Sequence, residues 1–302
     1  MKRVKNLDLN LLVYLDALLD SKSISRAAER VFLSQSAMSN ALGRLRDYFE
    51  DDLLVQVGRR MVPTALAQSL VEPVRDVLIQ VRSIASATVD FDPAKSNRKI
   101  TIMTSDYITD VFLNKVISRI WKLAPNIHIE LPPLHSDFVE DFERGRLDLL
   151  ITPEHFLAEG HPSEPLYEDT FTCAVWSHNP LVGDRISFDQ YKKLGHVIVS
   201  LGEWRTVTYE EWFLKRYGHV RNVELVVPSF AMALKFVTGT NRIITCHLRH
   251  ALMYAKQYSL RLVKPPFDIP PLKERIQWHK HMDRDLALIW FRSQLRSAAE
   301  EM

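Results

Sequence analysis

The hydrophobic and polar positions near the start of the chain follow the period of an α-helix. Between residues 35 and 49, apolar side chains recur every three or four positions, so a helix would gather them on one side. That side carries Ala37, Met38, Ala41, Leu42, Leu45, Tyr48 and Phe49. The opposite side carries Ser36, Ser39, Asn40, Gly43 and Arg46. The pattern predicts an amphipathic helix whose polar face is built mainly from short side chains.

A shorter helical pattern, SRAAERV, precedes this helix, and Val31 to Ser34 form the predicted turn between the two. Ser25 and Ser34 are the expected N-caps, because serine oxygens accept hydrogen bonds from the free N–H groups of a first helical turn. Ala27 and Ala28 are small enough to let the helices cross closely. This pair fits a helix-turn-helix, but taken alone it fits a small helical bundle with a solvated face equally well.

The flanking segments favour the helix-turn-helix. Upstream, LDLNLLVYLDALLDS predicts an apolar amphipathic helix, and downstream DDLLVQVGRRMVPT predicts a two-stranded wing around Gly58. A polar face of this kind suits the major groove, where serine, glutamine and asparagine meet base edges and arginines reach phosphates. We therefore predict a winged helix-turn-helix domain, α-helical with a small β wing, over residues 1–65. Its candidate DNA-contacting residues are Ser34, Gln35, Ser36, Ser39, Asn40, Arg44, Arg46, Arg59 and Arg60.

A linker helix is predicted over residues 66–90. Apolar residues with heptad spacing run along it: Leu70, Val74, Val77, Val81 and Ile84. Such a seam is typical of a two-stranded coiled coil and predicts a dimer, the alternative being a single helix that packs on its own domain. A dimer would present two recognition helices to double-stranded DNA. We therefore expect the DNA site to be a partial inverted repeat, with half-sites one helical turn or a multiple apart.

Beyond residue 95 the pattern changes to short apolar strands that alternate with helices. The expected strands are KITIM, IHIEL, LDLLIT, TCAVWS, HVIVSL, VELVV and RIITC. The expected helices are FLNKVISRIWKLA, DQYKKL, TYEEWFLKRYG, FAMALKFVTG and ALMYAKQY. This alternation predicts an α/β, two-lobed, periplasmic-binding-protein-like effector domain over residues 95–302, with largely parallel sheets. Lobe 1 is expected at about 95–164 and 267–302, and lobe 2 at about 165–266, with crossovers near Pro165 and near Pro265 and Pro266.

Ligands of open α/β sheets bind beyond the carboxyl ends of the strands, often against helix N-termini. Hydroxyl groups at such a place suit a carboxylate or phenolate, and neighbouring aromatic side chains suit an aromatic ring. Each residue taken singly also fits an N-cap or a core position. The candidate effector-binding residues are Thr104, Ser105, Asp106, Thr152, Glu154, His155, Trp204, Thr206, Phe230, Thr245 and His247.

The segment DLNLLVYLDALLDSKSISRAAERVFLSQSAMSNALGRLRDYFEDDLLVQVGRRMVPT resembles the winged helix-turn-helix of LysR-type transcriptional regulators, in the group of the nodulation regulator NodD and the naphthalene and salicylate regulator NahR. The likeness continues through FDPAKSNRKITIMTSDY, GRLDLLITPE, GHPSEPLYED, GHVIVSLG, EEWFLKRYG, VPSFAMALKFVTGTNRIIT and WHKHMDRDLALIWFR. Two positions depart from the usual pattern, because Ser36 replaces a proline and Ala65 to Ala67 replace a glycine after the wing.

The resemblance implies a regulator that activates or represses promoters, pairs as dimers into a homotetramer and works with RNA polymerase. It also implies a small aromatic effector, because NahR-like proteins sense aromatic acids and NodD-like proteins sense flavonoids. The alternatives are a DNA-binding protein that acts without an effector, and a small-molecule-binding protein or enzyme that uses the lobed domain.

Composition and charge change this interpretation little. The net charge of +2 is too mild to indicate nucleic acid by itself, so a basic footprint has to be local. Phosphate-binding and catalytic motifs such as GxGxxG, GxSxG and HExxH are missing, and the histidines of CHLRH and WHKH do not complete a metal site, so we expect neither an enzyme nor a cofactor or metal. Two distant cysteines, and no long apolar run or cleavable signal, predict a cytoplasmic protein without a membrane partner.

Overall fold

The structure is a computed structural model that describes residues 7–58, 60–85, 90–201 and 221–302. The chain divides into two compact units, Met1–Ala87 and Thr88–Met302. Arg59, Trp204, Thr206 and the predicted helix TYEEWFLKRYG lie outside the described residues. Among the described helices, none combines the length and the apolar character needed to cross a bilayer.

The first unit contains four helices and a two-stranded wing. Its elements are α1 (Leu9–Ser21), α2 (Ile24–Arg30), α3 (Gln35–Phe49), β1 (Leu54–Val57), β2 (Arg60–Pro63) and α4 (Ala65–Ala85). Ser34 caps α3 as predicted, since its Oγ accepts a hydrogen bond from the Ala37 N–H at 3.1 Å. The expected cap at Ser25 is wrong: Ser23 has extended backbone and accepts from the Arg26 N–H, so α2 begins at Ile24 and Ser25 lies within it.

The core of this unit joins all four helices. Its fully buried side chains include Leu15, Leu18, Met38 and Leu45, and Ala27 provides a close approach between α1, α2 and α3. Burial of each large apolar side chain contributes about 1.5 to 3 kcal/mol to folding. The predicted helix-turn-helix with its wing is present, and the two wing strands pair antiparallel from Leu54↔Pro63 to Val57↔Arg60.

Two residues of the predicted dimer seam belong instead to this intramolecular core. Val74 of α4 is buried in it, and Leu70 is partly buried against it. Val77 and Ile84, further along the helix, are 37 % and 74 % exposed, and Val81 is half-buried. The heptad spacing thus serves two surfaces, because the beginning of α4 packs on its own domain and its later turns carry exposed apolar side chains.

The second unit contains two five-stranded sheets. The first has the order β4-β3-β5-β12-β6, with β3 (Lys99–Met103), β4 (His128–Glu130), β5 (Leu149–Pro153), β6 (Ser163–Asp169) and β12 (Leu272–Trp278). The second has the order β11-β7-β10-β8-β9, with β7 (Phe171–Trp176), β8 (Gly195–Val199), β9 (Asn222–Val227), β10 (Ile243–His247) and β11 (Leu260–Val263).

The expectation of largely parallel sheets is wrong, because both sheets are mixed. Strand β12 runs antiparallel to β5 and β6, and β7 runs antiparallel to β10 and β11. Strand β6 continues to Asp169, past the crossover expected near Pro165, and β7 of the second sheet begins at Phe171. The chain returns between β11 and β12, a stretch that contains Pro265 and Pro266. Strands that enter a sheet from the other lobe are free to run antiparallel, since no βαβ crossover fixes their direction.

The described helices of this unit cover the sheets. They are α5 (Asp106–Ile108), which continues through a π-helical segment (Thr109–Leu113) into α6 (Asn114–Leu123), and α7 (Phe138–Glu143), α8 (Phe188–Lys193), α9 (Phe230–Lys235), α10 (Leu248–Ala255) and α11 (Leu286–Glu300). Short 3-10 turns lie at Pro93–Lys95, Glu154–Phe156 and Lys280–Met282. Hydrogen bonds from the start of α5 and from the π-helical segment join the two lobes and are described below.

Candidate functional site

The exposed face of α3 carries the polar residues that the sequence predicts for DNA contact. Met38, Ala41, Leu42 and Leu45 are buried against the other helices. This arrangement turns the opposite face of the helix to solvent, and that face carries Gln35, Ser36, Ser39, Asn40 and Arg44. The Ser34 and Ser36 hydroxyl oxygens lie 3.0 Å apart at the start of the helix. The helix therefore presents hydroxyl, amide and guanidinium groups together, which are the donors and acceptors that read base edges and grip phosphates.

The three described arginines of the predicted DNA surface have different environments. Arg44 is 61 % exposed and lies 3.5 Å from the Asp8 carboxylate, an exposed ion pair that contributes little to stability. Arg46 donates from Nε to the Asp52 carbonyl and from Nη2 to the Leu54 carbonyl, both at 2.8 Å. Arg46 thus fixes the start of the wing relative to α3, a structural role that the sequence did not reveal. Arg60 is exposed at the first position of β2.

Phe32, in the turn before α3, is a feature that the sequence pattern did not single out. Its side chain is 96 % exposed, and its backbone has a φ of +57°. The left-handed region is unfavourable for a residue with a Cβ atom and a bulky ring. A glycine or asparagine is the residue type that this turn position favours on conformational grounds.

A cavity in the second unit brings together residues from both sheets. The cavity has a volume of about 60 Å³. It adjoins an open cleft of about 970 Å³, and both are lined by Thr104, Ser105, Leu134 and Leu201. Five of the predicted effector-binding residues line the cavity: Thr104, Ser105, Thr152, Phe230 and His247.

The other predicted effector residues have different positions. Asp106 lines the open cleft but not the cavity. Thr245 lies in β10 with its hydroxyl 2.8 Å from the Tyr191 hydroxyl and 3.6 Å from the Cys173 sulfur, so its polar group is used within the second lobe. Glu154 and His155 form a 3-10 turn after β5 and line neither the cavity nor the cleft.

Aromatic rings form one wall of the cavity. The Tyr107 and His247 rings stack with centroids 3.9 Å apart and planes 28° apart, and the Phe230 ring lies 4.8 Å from His247. The Tyr107 hydroxyl donates to the Asp169 carboxylate at 2.8 Å, which fixes the ring. Burial lowers the pKa of His247 to about 3, so its imidazole is neutral at physiological pH. Tyr107 was not predicted, although it directly follows the Thr-Ser-Asp sequence at the end of β3.

The cavity also contains buried polar atoms without partners. Among the described residues, no group hydrogen-bonds to Thr104 Oγ1, His247 Nδ1 or Glu274 Oε2. Glu274 is only 2 % exposed; burial, together with the Asp169 carboxylate, raises its pKa to about 8. Burial also raises the pKa of Asp169. Since an unpaired buried polar atom costs about 1 to 3 kcal/mol, this side of the cavity suits a polar group of a ligand or a water molecule.

Two carboxylates of the segment that follows β3 contact the second lobe. Asp106 accepts hydrogen bonds from the Phe230 and Ala231 N–H groups at the start of α9. Asp110, in the π-helical segment, accepts from the Tyr254 hydroxyl at 2.8 Å and lies 3.1 Å from His250 Nε2. These contacts lie beside the cavity, since Phe230 lines it and Asp106 directly follows Thr104 and Ser105 in the chain.

Metal binding has no support in the described part of the chain, where no cluster of three histidine, cysteine, aspartate or glutamate side chains has the arrangement of a metal site. The two cysteines, Cys173 and Cys246, are buried as free thiols.

Comparison with known proteins agrees with both parts of the structure. Residues 9–68 match the bacterial regulatory helix-turn-helix protein family of lysR type, and residues 94–300 match the LysR substrate-binding domain. Nodulation protein D 2 of Rhizobium tropici is 42 % identical over 300 residues, which cover 99 % of this chain and 95 % of that relative. These matches define a DNA-binding transcriptional regulator. The chain belongs to the LysR family, as the sequence resemblance predicted, and this family consists of regulators, not enzymes.

Solved structures support the same fold. A probable transcriptional regulator from Pseudomonas aeruginosa has 28 % sequence identity and a TM-score of 0.65, over 97 % of this chain and 98 % of that chain. Full-length CbnR complexed with its target DNA has 14 % identity and a TM-score of 0.51, over 97 % of this chain and 100 % of that chain. The predicted fold class, a winged helix-turn-helix followed by a two-lobed α/β domain, is confirmed.

Proposed function

We propose that this regulator changes its action on DNA when a small aromatic effector occupies the cavity of its second unit. The observation that carries the proposal is the cavity itself, which is lined by stacked aromatic rings and by buried polar atoms that have no hydrogen-bond partner among the described residues. Ligand sites in proteins have this composition, because apolar walls supply affinity and a few polar groups supply orientation. The candidate effector-binding residues are Thr104, Ser105, Tyr107, Thr152, Phe230, His247 and Glu274.

The proposed DNA surface is the exposed face of α3 with the wing. Ser34, Gln35, Ser36, Ser39 and Asn40 would read base edges or hold the phosphate backbone at the start of the helix. Arg44 and Arg60 are exposed and would contact phosphates, while Arg46 would act by holding the wing in position. We keep the winged domain at residues 1–65, the linker helix at 66–90 and the effector domain at 95–302 as the proposed functional divisions.

We further propose a dimer formed through the later turns of α4, where Val77, Val81 and Ile84 supply apolar contacts. Leu70 and Val74 are used by the domain core and would support the interface only indirectly. Two-fold pairing implies a partial inverted repeat as the DNA site, and pairing of dimers would give a tetramer. RNA polymerase is the proposed further partner, with activation or repression set by the position of the site, and the DNA partner implies a cytoplasmic location.

The effector would act by a shift between two arrangements of the lobes. Phe230 and His247 belong to the second lobe, whereas Thr104, Thr152 and Glu274 belong to the first, so an occupant of the cavity contacts both. A ligand changes an equilibrium only as far as it binds one arrangement better than the other. An occupant that contacts both lobes would bind one arrangement of the lobes better than the other. The changed angle between the lobes would then change how dimers pair on DNA.

The test is a footprint of the full-length protein on DNA upstream of its own gene, with and without a panel of phenols and aromatic acids. The salt concentration is fixed near the physiological value, since phosphate contacts make affinity strongly salt-dependent. We expect protection of an inverted repeat whose extent changes with at least one compound. Leu134→Trp, which narrows both cavity and cleft, should abolish that change and keep the protection. Leu181→Trp is the matched control, because Leu181 is 52 % exposed and lines neither space.

Two results would contradict the proposal. Protection that no compound alters, with wild-type protein and Leu134→Trp alike, would indicate a regulator that acts without an effector. A compound that binds to the second unit without changing protection at any DNA site would indicate a small-molecule-binding role that is separate from regulation.

A further inference from the structure

Glu274 occupies an unusual position for a carboxyl group. It lies in β12, between β5 and β6 in the interior of the first sheet, at a point where the pairing of β12 with β6 shifts register. Its side chain is 2 % exposed and lines the cavity, and Oε2 has no hydrogen-bond partner among the described residues. Thr104 Oγ1, in the same cavity, is also buried and unpartnered. A carboxyl group buried without a partner is costly, so this arrangement indicates a ligand that completes it.

The charges around Glu274 restrict which ligand can do so. The ionisable groups that face it are the Asp169 carboxyl, the Tyr107 and Tyr167 phenols and the His247 imidazole. Arg249 is not among the residues that line the cavity: its backbone N–H donates to Asp169, and its guanidinium carbon lies 6.0 Å from the Tyr167 ring centroid. The described residues that line the cavity include no lysine or arginine, and the burial that lowers the pKa of His247 keeps its ring neutral. A carboxylate ligand would therefore be desolvated beside carboxyl groups, and the described residues that line the cavity offer it no cation.

A protonated carboxyl group has one donor and retains an acceptor oxygen. With its pKa at about 8, Glu274 carries this proton at neutral pH. It can donate to a ketone, ether or phenol oxygen of a ring, and its second oxygen or Thr104 Oγ1 can accept from a hydroxyl. The remaining walls are apolar or aromatic, among them Phe138, Phe156 and Phe230.

We propose that Glu274 is the residue that recognises the polar head of the effector, and that the cavity selects an uncharged oxygen-bearing aromatic ring over the corresponding carboxylate. This inference rests on the proposed effector function and makes it more specific. Thr104 and Leu134 line both the cavity and the open cleft, so the rest of a larger ligand extends past these residues into the cleft.

The test compares two probes of nearly equal shape, 4-methoxyacetophenone and 4-methoxybenzoate, which differ in the charge of the head group. Neither probe changes its ionisation between pH 6 and 9, so a pH effect reports on the protein. Binding to the full-length protein is measured by calorimetry. We expect the ketone to bind at least about tenfold more tightly than the carboxylate at pH 7, because the carboxylate has to be desolvated beside carboxyl groups and the ketone carries no charge. The affinity for the ketone should fall as the pH rises through about 8.

Two variants assign the effect to Glu274. Glu274→Gln keeps a donor and an acceptor and should bind the ketone within about threefold of wild type, with no loss above pH 8. Glu274→Leu removes both groups and should weaken ketone binding by about tenfold or more. Glu168→Gln and Glu168→Leu are the matched controls, because Glu168 is exposed on the neighbouring strand β6 and outside the cavity. Thermal unfolding of each variant shows whether it folds. If Glu274→Leu does not fold, the comparison of Glu274→Gln with wild type tests the role of Glu274 by itself.

The outcomes separate the two levels of the proposal. If the carboxylate binds as tightly as the ketone, or if ketone binding by Glu274→Gln falls above pH 8 as in wild type, the role of Glu274 is overturned while the effector function stands. If neither probe binds and no phenol or aromatic acid of the footprint panel alters protection, the effector function fails and this inference fails with it.

Discussion

The Asp106 carboxylate of the first lobe accepts the backbone N–H of Phe230, the first residue of helix α9 in the second lobe, at 3.2 Å. Its other oxygen accepts from Ala231 N–H at 3.0 Å. A carboxylate at a helix start satisfies free N–H groups and interacts favourably with the helix dipole. Here the capping group comes from another lobe, so a common local interaction holds two lobes together beside the cavity.

Removal of this charge should loosen the lobes. Asp106→Asn keeps the size of the side chain but weakens two charge-assisted hydrogen bonds, so we expect the free energy of unfolding of the second unit to fall by about 1 to 2 kcal/mol. Binding of an effector should weaken as well, since Phe230 is part of the cavity wall. Denaturant unfolding and calorimetry measure the two effects. Asp189→Asn is the control, because Asp189 is exposed and pairs with Lys192 of its own helix α8. An equal effect of both substitutions would contradict a role for the lobe contact.

Substitutions of Ser34, the N-cap of α3, and of Ser39, on its exposed face, should separate an effect on stability from an effect on DNA binding. Ser34→Ala removes the N-cap acceptor of Ala37 N–H and should lower the stability of the first unit by about 1 kcal/mol, as well as its affinity for DNA. Ser39→Ala lies on the exposed face and should lower DNA affinity with little change in stability. Thermal unfolding and filter binding at constant salt measure these quantities. Unchanged DNA affinity for Ser39→Ala would remove Ser39 from the proposed interface.

Glu274 should make the stability of the second unit depend on pH. Its pKa is about 8 in the folded protein against an ordinary value of 4.5 for a glutamate side chain, so the folded state binds the proton more tightly. The associated stability is fully present below about pH 4.5 and is lost as the pH rises toward 8. Glu274→Gln should therefore equal wild type near pH 4.5 and exceed it by about 3 to 5 kcal/mol at pH 8 and above. Denaturant unfolding over this range tests the trend, and a parallel offset at all pH values would contradict it.

The first unit could be predicted from sequence almost completely, because its signals are local. The apolar period of α3, the Ser34 cap and the wing around Gly58 each depend on residues close in the chain, and the structure contains all three. The error at Ser25 is of the same local kind, since Ser23 and Ser25 are both serines near a helix start and only backbone geometry distinguishes them.

The sequence predicted the second unit less well, because contacts between distant segments determine where its strands and buried residues lie. Strand β12 has the sequence LKERIQW, whose charged residues indicate an exposed segment, yet β12 lies inside a sheet with Glu274 buried. Its place depends on strands β5 and β6, more than 100 residues earlier in the chain. The predicted cavity residues Thr104, Thr152 and His247 were found from the rule that sites lie at strand ends. Tyr107 follows the same strand end but was not singled out, and Glu274 lies inside β12, where only its contacts reveal it.

The turn before α3 should be more stable with another residue. Phe32 is 96 % exposed at a φ of +57°, so its ring adds little burial and its backbone is unfavourable. Phe32→Asn should raise the free energy of unfolding of the first unit by about 0.5 to 1 kcal/mol, because asparagine tolerates the left-handed region. Phe32→Val is the comparison and should destabilise, since β-branched residues disfavour this conformation most. If asparagine and valine have the same effect, backbone conformation does not determine stability at this position.

Self-association should depend on the exposed apolar residues in the later turns of helix α4. Val77→Asp places a charge on the later, exposed part of the seam, so we expect dimers to dissociate at concentrations where wild type remains paired, while the monomer stays folded. Val74→Asp should unfold the first unit instead, because Val74 is 4 % exposed in its core. Gln68→Asp, which adds the same charge at an exposed position on the other side of the helix, is the control. Sedimentation velocity and thermal unfolding distinguish these cases, and a Val77→Asp protein that sediments like wild type would place the dimer interface outside this seam.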